Sequence, residues 1–386
     1  MLLEKIVIAL DSFKGSLTST QAAEAAAKGI REVLPQCQVV CLPVSDGGEG
    51  ILDALLQAIG GQYISCPAHD PLMRPLTVPY GVSADKQTAI IEMATASGLT
   101  LVSPQERNPL RTTTYGTGEQ IRHALSQGCR HVLLGLGGSA TNDAGLGMLQ
   151  ALGYVFKDKN GQEIDPMRGE WLERIASIDT SNVPQEVREA QFTAACDVNN
   201  PFLGLSGASH VFAPQKGAGP ADVAKLEKGM SHIAELIRQS TGTDISTMPG
   251  AGAAGGMGGA LAAFLHAPLK PGIQLLLNRL HFAEMIQDAS LIITGEGKAD
   301  RQTLMGKVPA GILHEARQQE IPVWLLAGAV DDKPMLLEAG FQDVYCINPP
   351  GTPEMQAMNP DFAQQQIKET VKTALQQSLT SDTNIC

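Results

Sequence analysis

The densest chemistry in this chain stands in Gly135-Leu-Gly-Gly-Ser-Ala-Thr-Asn-Asp-Ala-Gly-Leu-Gly147. Glycines remove Cβ atoms, so several backbone N–H groups can converge on one anion, and a helix start adds partial positive charge there. Gly137, Gly138, Ser139, Thr141, Asn142 and Asp143 therefore make a candidate cofactor-binding loop for phosphate or another polyanionic ligand. The same residues also fit tight packing alone. They fit a dinucleotide turn as well: Gly135-Leu-Gly137-Gly-Ser-Ala140 matches G-x-G-x-x-A, and Asp158 follows roughly 20 residues on.

Three further glycine-rich loops carry acids and lysines: Asp11-Ser-Phe-Lys-Gly15, Ser45-Asp-Gly-Gly-Glu-Gly50 and Gly295-Glu-Gly-Lys-Ala-Asp300. Hard carboxylate oxygens suit Mg²⁺, and lysine ammonium groups suit a phosphate chain. Any one of these loops read singly is also an ordinary solvated charged turn. Asp46, between a serine and two glycines, is expected to project freely and is a candidate functional acid, whereas Glu49 suits first-turn helix stabilisation. Asp197, in Cys196-Asp-Val-Asn-Asn-Pro201, is a candidate base or metal ligand and equally a turn cap. Lys216 before Gly217 is a second candidate phosphate contact, with surface charge as the plainer reading. Known nucleotide motifs are missing: Gly295-Glu-Gly-Lys298 lacks the spacing and hydroxyl of a P-loop, and no His-Arg-Asp kinase loop occurs.

Strands that end where these loops begin must position them. Ile6-Val-Ile-Ala-Leu10 is a continuous apolar run, the mark of a strand buried on both faces of a parallel sheet. Thr18 with Gln21 makes a capping box for an alanine-rich helix to about Leu34. A strand from Cys37 to Val44 follows, then a helix through Ile51 and Ile59. The same grammar returns near the far end: a strand Ser290–Thr294, a helix from about Thr303 to Gln319, a strand Val323–Ala327, a helix stopping at Gly340, a strand Val344–Ile347 and a helix from about Asp361 to Leu379. Counted together, the two ends give one flavodoxin-like α/β sheet, order 2-1-3-4-5. Its domain is expected from 1–61 plus 287–386, interrupted by a second, inserted α/β domain over 62–286. In such a sheet ligands bind beyond the carboxyl ends of the strands where the order reverses, here between the strands ending at Leu10 and Thr294.

The chain has 386 residues, which makes two domains the default. A formal net charge of −12 repels phosphate backbones and anionic lipid, so neither nucleic acid nor membrane is an expected partner. Seven scattered cysteines have no zinc-type spacing, and Cys37 and Cys41 on one strand suit buried thiols in a reducing compartment. The eight histidines show no metal-ligand pairing. Met1-Leu-Leu-Glu-Lys5 places charge where a signal peptide needs an apolar core, so a cytoplasmic location is expected.

Several stretches in fixed order carry a resemblance that spans nearly the whole chain. They are Asp11-Ser-Phe-Lys-Gly-Ser-Leu-Thr18, Pro43-Val-Ser-Asp-Gly-Gly-Glu-Gly50, Thr113-Thr-Tyr-Gly-Thr-Gly-Glu119, Gly135 to Asp143, Cys196 to Pro201 and Thr294-Gly-Glu-Gly-Lys298. Together they resemble the bacterial type I glycerate kinases. Leu10 departs from the proline expected before the first aspartate. The resemblance implies ATP- and Mg²⁺-dependent phosphorylation of D-glycerate, at the 2-hydroxyl. It implies that Asp11 and Asp46 organise Mg²⁺ or the attacking hydroxyl, that Lys14 neutralises the transferring phosphoryl group, and that Asp197 is a second candidate base. The loop Gly137 to Asp143 would hold phosphate or the glycerate carboxylate, and Gly295, Glu296 and Gly297 would contribute to the nucleotide site. The competing readings are glycerate 3-kinase regiochemistry, an NAD-linked dehydrogenase using the Gly135 loop, and a non-catalytic two-domain small-molecule sensor.

Overall fold

The computed structural model describes residues 3–13, 15–42, 44, 55–56 and 60–383. Lys14, Asp46 and Glu49, and most of the helix expected from Ile51 to Ile59, lie outside the described residues. Ile6 to Leu10 offers no polar face to water and forms β1 (Lys5–Leu10), buried from Ile6 onward. The Thr18 hydroxyl accepts from the Gln21 N–H at 3.2 Å and Gln21 Oε1 accepts from the Thr18 N–H at 3.0 Å, so the capping box starts the helix Ser19–Val33 as expected. β2 (Gln38–Cys41) follows. The chain continues through β3 (Gln62–His69), β4 (Pro75–Val82), β5 (Thr88–Glu92), β6 (His131–Gly135), β7 (Val155–Asp158), β8 (Ile175–Asp179), β9 (Gln191–Ala195) and β10 (Leu269–Lys270). It then forms β11 (Leu291–Ala299), β12 (Val323–Val330) and β13 (Asp343–Cys346).

The chain divides into two compact units, Met1–Asp46 with Ile273–Cys386, and Gly47–Gly272. In the first unit the strands lie in the order β2-β1-β11-β12-β13, every pair parallel, which is the flavodoxin-like order 2-1-3-4-5. Strand alternation sends Ile6, Ile8 and Leu10 to one face. There they pack with Ala22, Ala26 and Ile30 of the first helix and with Ile367 and Val371 of the helix Pro360–Thr383. The two helices approach closely because Gly29 has no Cβ: one built there would stand 2.5 Å from the Lys368 carbonyl oxygen.

Three expectations shift. β11 does not end at Thr294 but runs on to Ala299, because Glu296 and Lys298 stay in register with Ala327 and Ala329 of an equally extended β12. The helix expected from Thr303 breaks into a 3₁₀ turn, Arg301–Leu304, and a helix Val308–Gln318, with Gly306 at φ 90° between them and Pro309 in the first turn of the second. Cys37 is half-buried and Cys41 exposed, since β2 is the edge strand, so neither is the buried thiol that their spacing suggested.

The second unit is a six-stranded mixed sheet, β10-β9-β6-β5-β4-β3, plus a separate antiparallel pair, β7-β8. β3 and β4 form an antiparallel hairpin, and β5, β6, β9 and β10 run parallel. The stretch Gly250 to Gly259 enters the helix Ala253–Phe264, which carries a left-handed kink at Ala254, Gly255 and Gly256. Gly255 is required there twice over: its φ is 68°, and a Cβ would stand 2.0 Å from the Thr141 carbonyl oxygen. No helix among the described residues is long and apolar enough to cross a membrane.

Ile293, wholly buried in β11 between β1 and β12, tests the parallel sheet. Ile293→Ala is expected to cost about 2–5 kcal/mol in chemical denaturation, the range for truncating a large buried aliphatic side chain. A cost of a few tenths would mean this strand is not interior.

Candidate active site

The register that pairs Leu10 with Gly295 sets Asp11 and Glu296 side by side as β1 and β11 reach the carboxyl edge of their sheet. The Asp11 N–H donates to the Gly295 carbonyl at 2.9 Å, and Asp11 Oδ1 accepts from the Ser12 N–H at 2.6 Å. Both acids line a cavity of about 370 Å³ within the first unit. β11 is therefore the immediate neighbour of β1, as the order 2-1-3-4-5 requires.

Glu296 is deeply buried, and burial pushes its carboxyl above the usual range, opposed by the Thr303 hydroxyl and by the Lys307 ammonium 3.3 Å from Oε2. Its Oε1 has no hydrogen-bond partner. Gly295 and Gly297 flank it on the strand itself. Lys298 points instead to Asp331, 2.8 Å away, with Asp300 at 3.9 Å. Asp300 caps the 3₁₀ turn by accepting from the Gln302 N–H at 2.8 Å.

Two cavity residues escaped the sequence reading. Lys307 sits at the N-cap of the helix Val308–Gln318, where a cation opposes the helix dipole; that local conflict was its one available signal. Asn348 follows β13 and donates through Nδ2 to the Gly328 carbonyl at 2.8 Å, leaving Oδ1 buried without a partner. Nothing in the stretch Ile347-Asn-Pro-Pro350 marks it.

In the second unit, Gly137 and Gly138 form the accessible rim of the loop after β6, and Ser139, Thr141, Asn142 and Asp143 are buried behind it. Asp143 accepts from the Thr114 N–H and hydroxyl, both at 2.8 Å, and from the N–H groups of Gly145 and Gly147, both at 3.2 Å. Burial pushes its carboxyl up, and these four donors pull it back. Lys216 is 1 % exposed, which removes the surface-charge reading. Its ammonium donates to Ser139 Oγ at 2.8 Å and to the Thr141 carbonyl at 2.7 Å, tying the loop from beneath. The helix leaving the loop, Leu146–Ala151, is only six residues long, so this segment's shape rests on side-chain anchoring more than on a helix dipole.

Asp197 follows β9, and its Oδ1 accepts from the Gly272 N–H at 2.8 Å, at the start of the helix Gly272–Arg279. Asp158 ends β7, in the separate two-stranded sheet. A dinucleotide fold needs that acid at the end of a strand beside β6, so the G-x-G-x-x-A match has no second half here.

Comparison with known proteins adds a family to this geometry. The family described as Glycerate kinase family matches residues 6–378. The glycerate 2-kinase of Escherichia coli (strain K12) is 45% identical over 344 residues, 89% of this chain and 90% of the relative. A glycerate kinase of Bacillus cereus (strain ATCC 10987 / NRS 248) is 44% identical over 369 residues, 95% of this chain and 96% of its own. A crystal structure from Salmonella typhimurium LT2, described as a candidate glycerate kinase 2, superposes with a TM-score of 0.86 at 40% identity, covering 98% of this chain and 99% of that one.

The sealed Lys216 makes stability depend on pH in a defined direction. Desolvation pulls its pKa down from 10.5 to about 7, against the pull of the Asp143 charge. Between those values the unfolded chain holds a proton that the folded chain does not, so this residue's contribution to stability rises with pH, by roughly 1.4 kcal/mol per unit. Below about 7 both states are protonated and the full cost of the buried charge stands. Denaturation of wild type and Lys216→Met between pH 7 and pH 10 is expected to show the wild type gaining on the variant at each step. A difference independent of pH would contradict it.

Proposed function

The chain belongs to the glycerate kinase family, and on that premise we propose that it transfers the γ-phosphoryl group of ATP to the 2-hydroxyl of D-glycerate, giving 2-phospho-D-glycerate. The observation that carries the reading into this chain is the pairing of Asp11 with Glu296 at the reversal point of the parallel sheet, beside a cavity with Lys307 on its wall. The E. coli relative, named for the 2-position, supports the regiochemistry.

In this reading Asp11 and Asp46 organise the metal and the attacking hydroxyl, and Lys14 neutralises charge on the group in flight. Phosphoryl transfer asks a protein chiefly for positioning and electrostatic stabilisation, and few residues suffice. Mg²⁺ commonly takes one or two carboxylates plus the phosphates themselves. Asp11 supplies such an oxygen at the cavity, and no cage of three ligating side chains occurs among the described residues. Bound with ATP, the ion would supply charge neutralisation on the phosphate chain.

The second unit contributes a loop rather than an acid–base pair. Gly137, Gly138 and Ser139 would meet the carboxylate of glycerate or a phosphate, while Thr141, Asn142 and Asp143 set the loop's shape from within. Asp197, with one oxygen committed to Gly272, is retained as the second candidate base. An acidic chain that binds two anionic small molecules needs such local donors, because its overall field repels them.

Incubation with ATP, Mg²⁺ and D-glycerate followed by phosphorus NMR is expected to show one phosphomonoester, coupled to the C2 proton. A C3-linked product would reassign the regiochemistry, and no product would remove the reading. Asp11→Asn, Lys14→Ala and Asp46→Asn are each expected to lower kcat by about 10²-fold or more, the scale for losing a group that acts in the transition state. Wild-type turnover in all three would sink the assignment of these residues.

A further inference from the structure

The cavity at the carboxyl edge of the first unit's sheet holds polar atoms that the protein leaves unanswered. Glu296 Oε1, Asn348 Oδ1 and Ser16 Oγ are each buried without a hydrogen-bond partner, and all three residues line it. Buried polar groups are nearly always paired, so three around one cavity mark bonds that a ligand makes. The orientation of Asn348 is fixed, because Nδ2 is spent on the Gly328 carbonyl and only the acceptor oxygen is left. Glu296 likewise commits Oε2 to Lys307 and keeps Oε1.

These atoms ask for a ligand that brings hydrogen-bond donors. The rest of the wall asks for something flat and apolar: Phe13, Ile347, Met358 and Ala363 supply carbon surface. A volume of about 370 Å³ lies within the range of small-molecule sites, roughly 300–1,000 Å³. A bare cation would use the same two oxygens, but the Lys307 ammonium beside Glu296 opposes one. An aminated base joined to a sugar meets every demand: two apolar faces, an exocyclic amino donor and hydroxyl donors.

We propose that this cavity receives the nucleoside half of the co-substrate, with Asn348 Oδ1 accepting from the amino group of adenine and Glu296 Oε1 accepting from a sugar hydroxyl. Asn348 is then the residue that selects adenine, because a base with a carbonyl at that position would set one acceptor against another. The identity of the ligand as a nucleotide rests on the kinase reading; the atoms that hold it do not.

Calorimetric titration with adenosine and with inosine, in buffer free of Mg²⁺ and glycerate, tests this without any turnover. The wild type is expected to bind adenosine at least tenfold more tightly than inosine, which carries a carbonyl in place of the amino group. Asn348→Ala should bring that ratio to within about twofold, and Glu296→Gln should weaken adenosine severalfold while leaving free adenine within about twofold. Equal binding of adenosine and inosine by the wild type overturns the proposal and needs no variant to fold. So does an unchanged ratio in folded Asn348→Ala. Glycerate phosphorylation with no such discrimination would leave the kinase reading standing and remove this one; discrimination without phosphorylation would do the reverse.

Discussion

The pairing of β1 with β11 is the constraint on which the rest of the first unit depends. It joins residues almost three hundred positions apart in sequence, through a parallel ladder from Ile6–Leu291 to Leu10–Gly295 and the Thr294 hydroxyl donating to the Ala9 carbonyl at 2.8 Å. The runs Ile6 to Leu10 and Leu291 to Ile293 are apolar on both faces, so neither is stable except inside a sheet covered by helices. Once they pair, the ladder allows no freedom in where Asp11 and Glu296 emerge. A slip of one residue would turn one of the two acids to the opposite face of the sheet. Hydrophobic burial in this unit thus fixes the placement of charge.

The pairing of the charged groups separates the two glycine-rich regions that looked alike as sequence, although Thr141 Oγ1 and both amide atoms of Asn142 are buried without partners in the first. After β6, the acid and the lysine are consumed internally: Asp143 by four donors, Lys216 by Ser139 and Thr141. The result is a rigid loop whose exposed rim is backbone and glycine. At the end of β11, the acid is left with one oxygen unmatched in a cavity. The same residue types therefore serve as scaffold in one place and as an open contact in the other, and the difference is the number of fixed donors within reach.

Much of the architecture was legible in the chain. Runs such as Ile6 to Leu10 and Leu291 to Ile293 are buried on both faces, and their alternation with capped helices permits few sheet orders. The capping box at Thr18 was readable because it is a local device. What failed to show was set by partners distant in sequence. The extension of β11 past Thr294 depends on β12 running alongside, and the exposure of Cys41 depends on β2 lying at the edge. Lys216 reads as surface charge until the loop from Ser139 to Thr141 is seen to cover it. Lys307 and Asn348 acquire their importance from a cavity that no spacing announces.

The central claim is that the two extremities of the chain form one working rim on a single ligand. A double-mutant cycle on kcat/KM for glycerate phosphorylation, using Asp11→Asn, Glu296→Gln and the pair together, measures it directly. Two groups acting on the same bound molecule should lose far less together than the product of the single losses, by at least about fivefold. Losses that simply multiply would show that adjacency in the sheet has no counterpart in function.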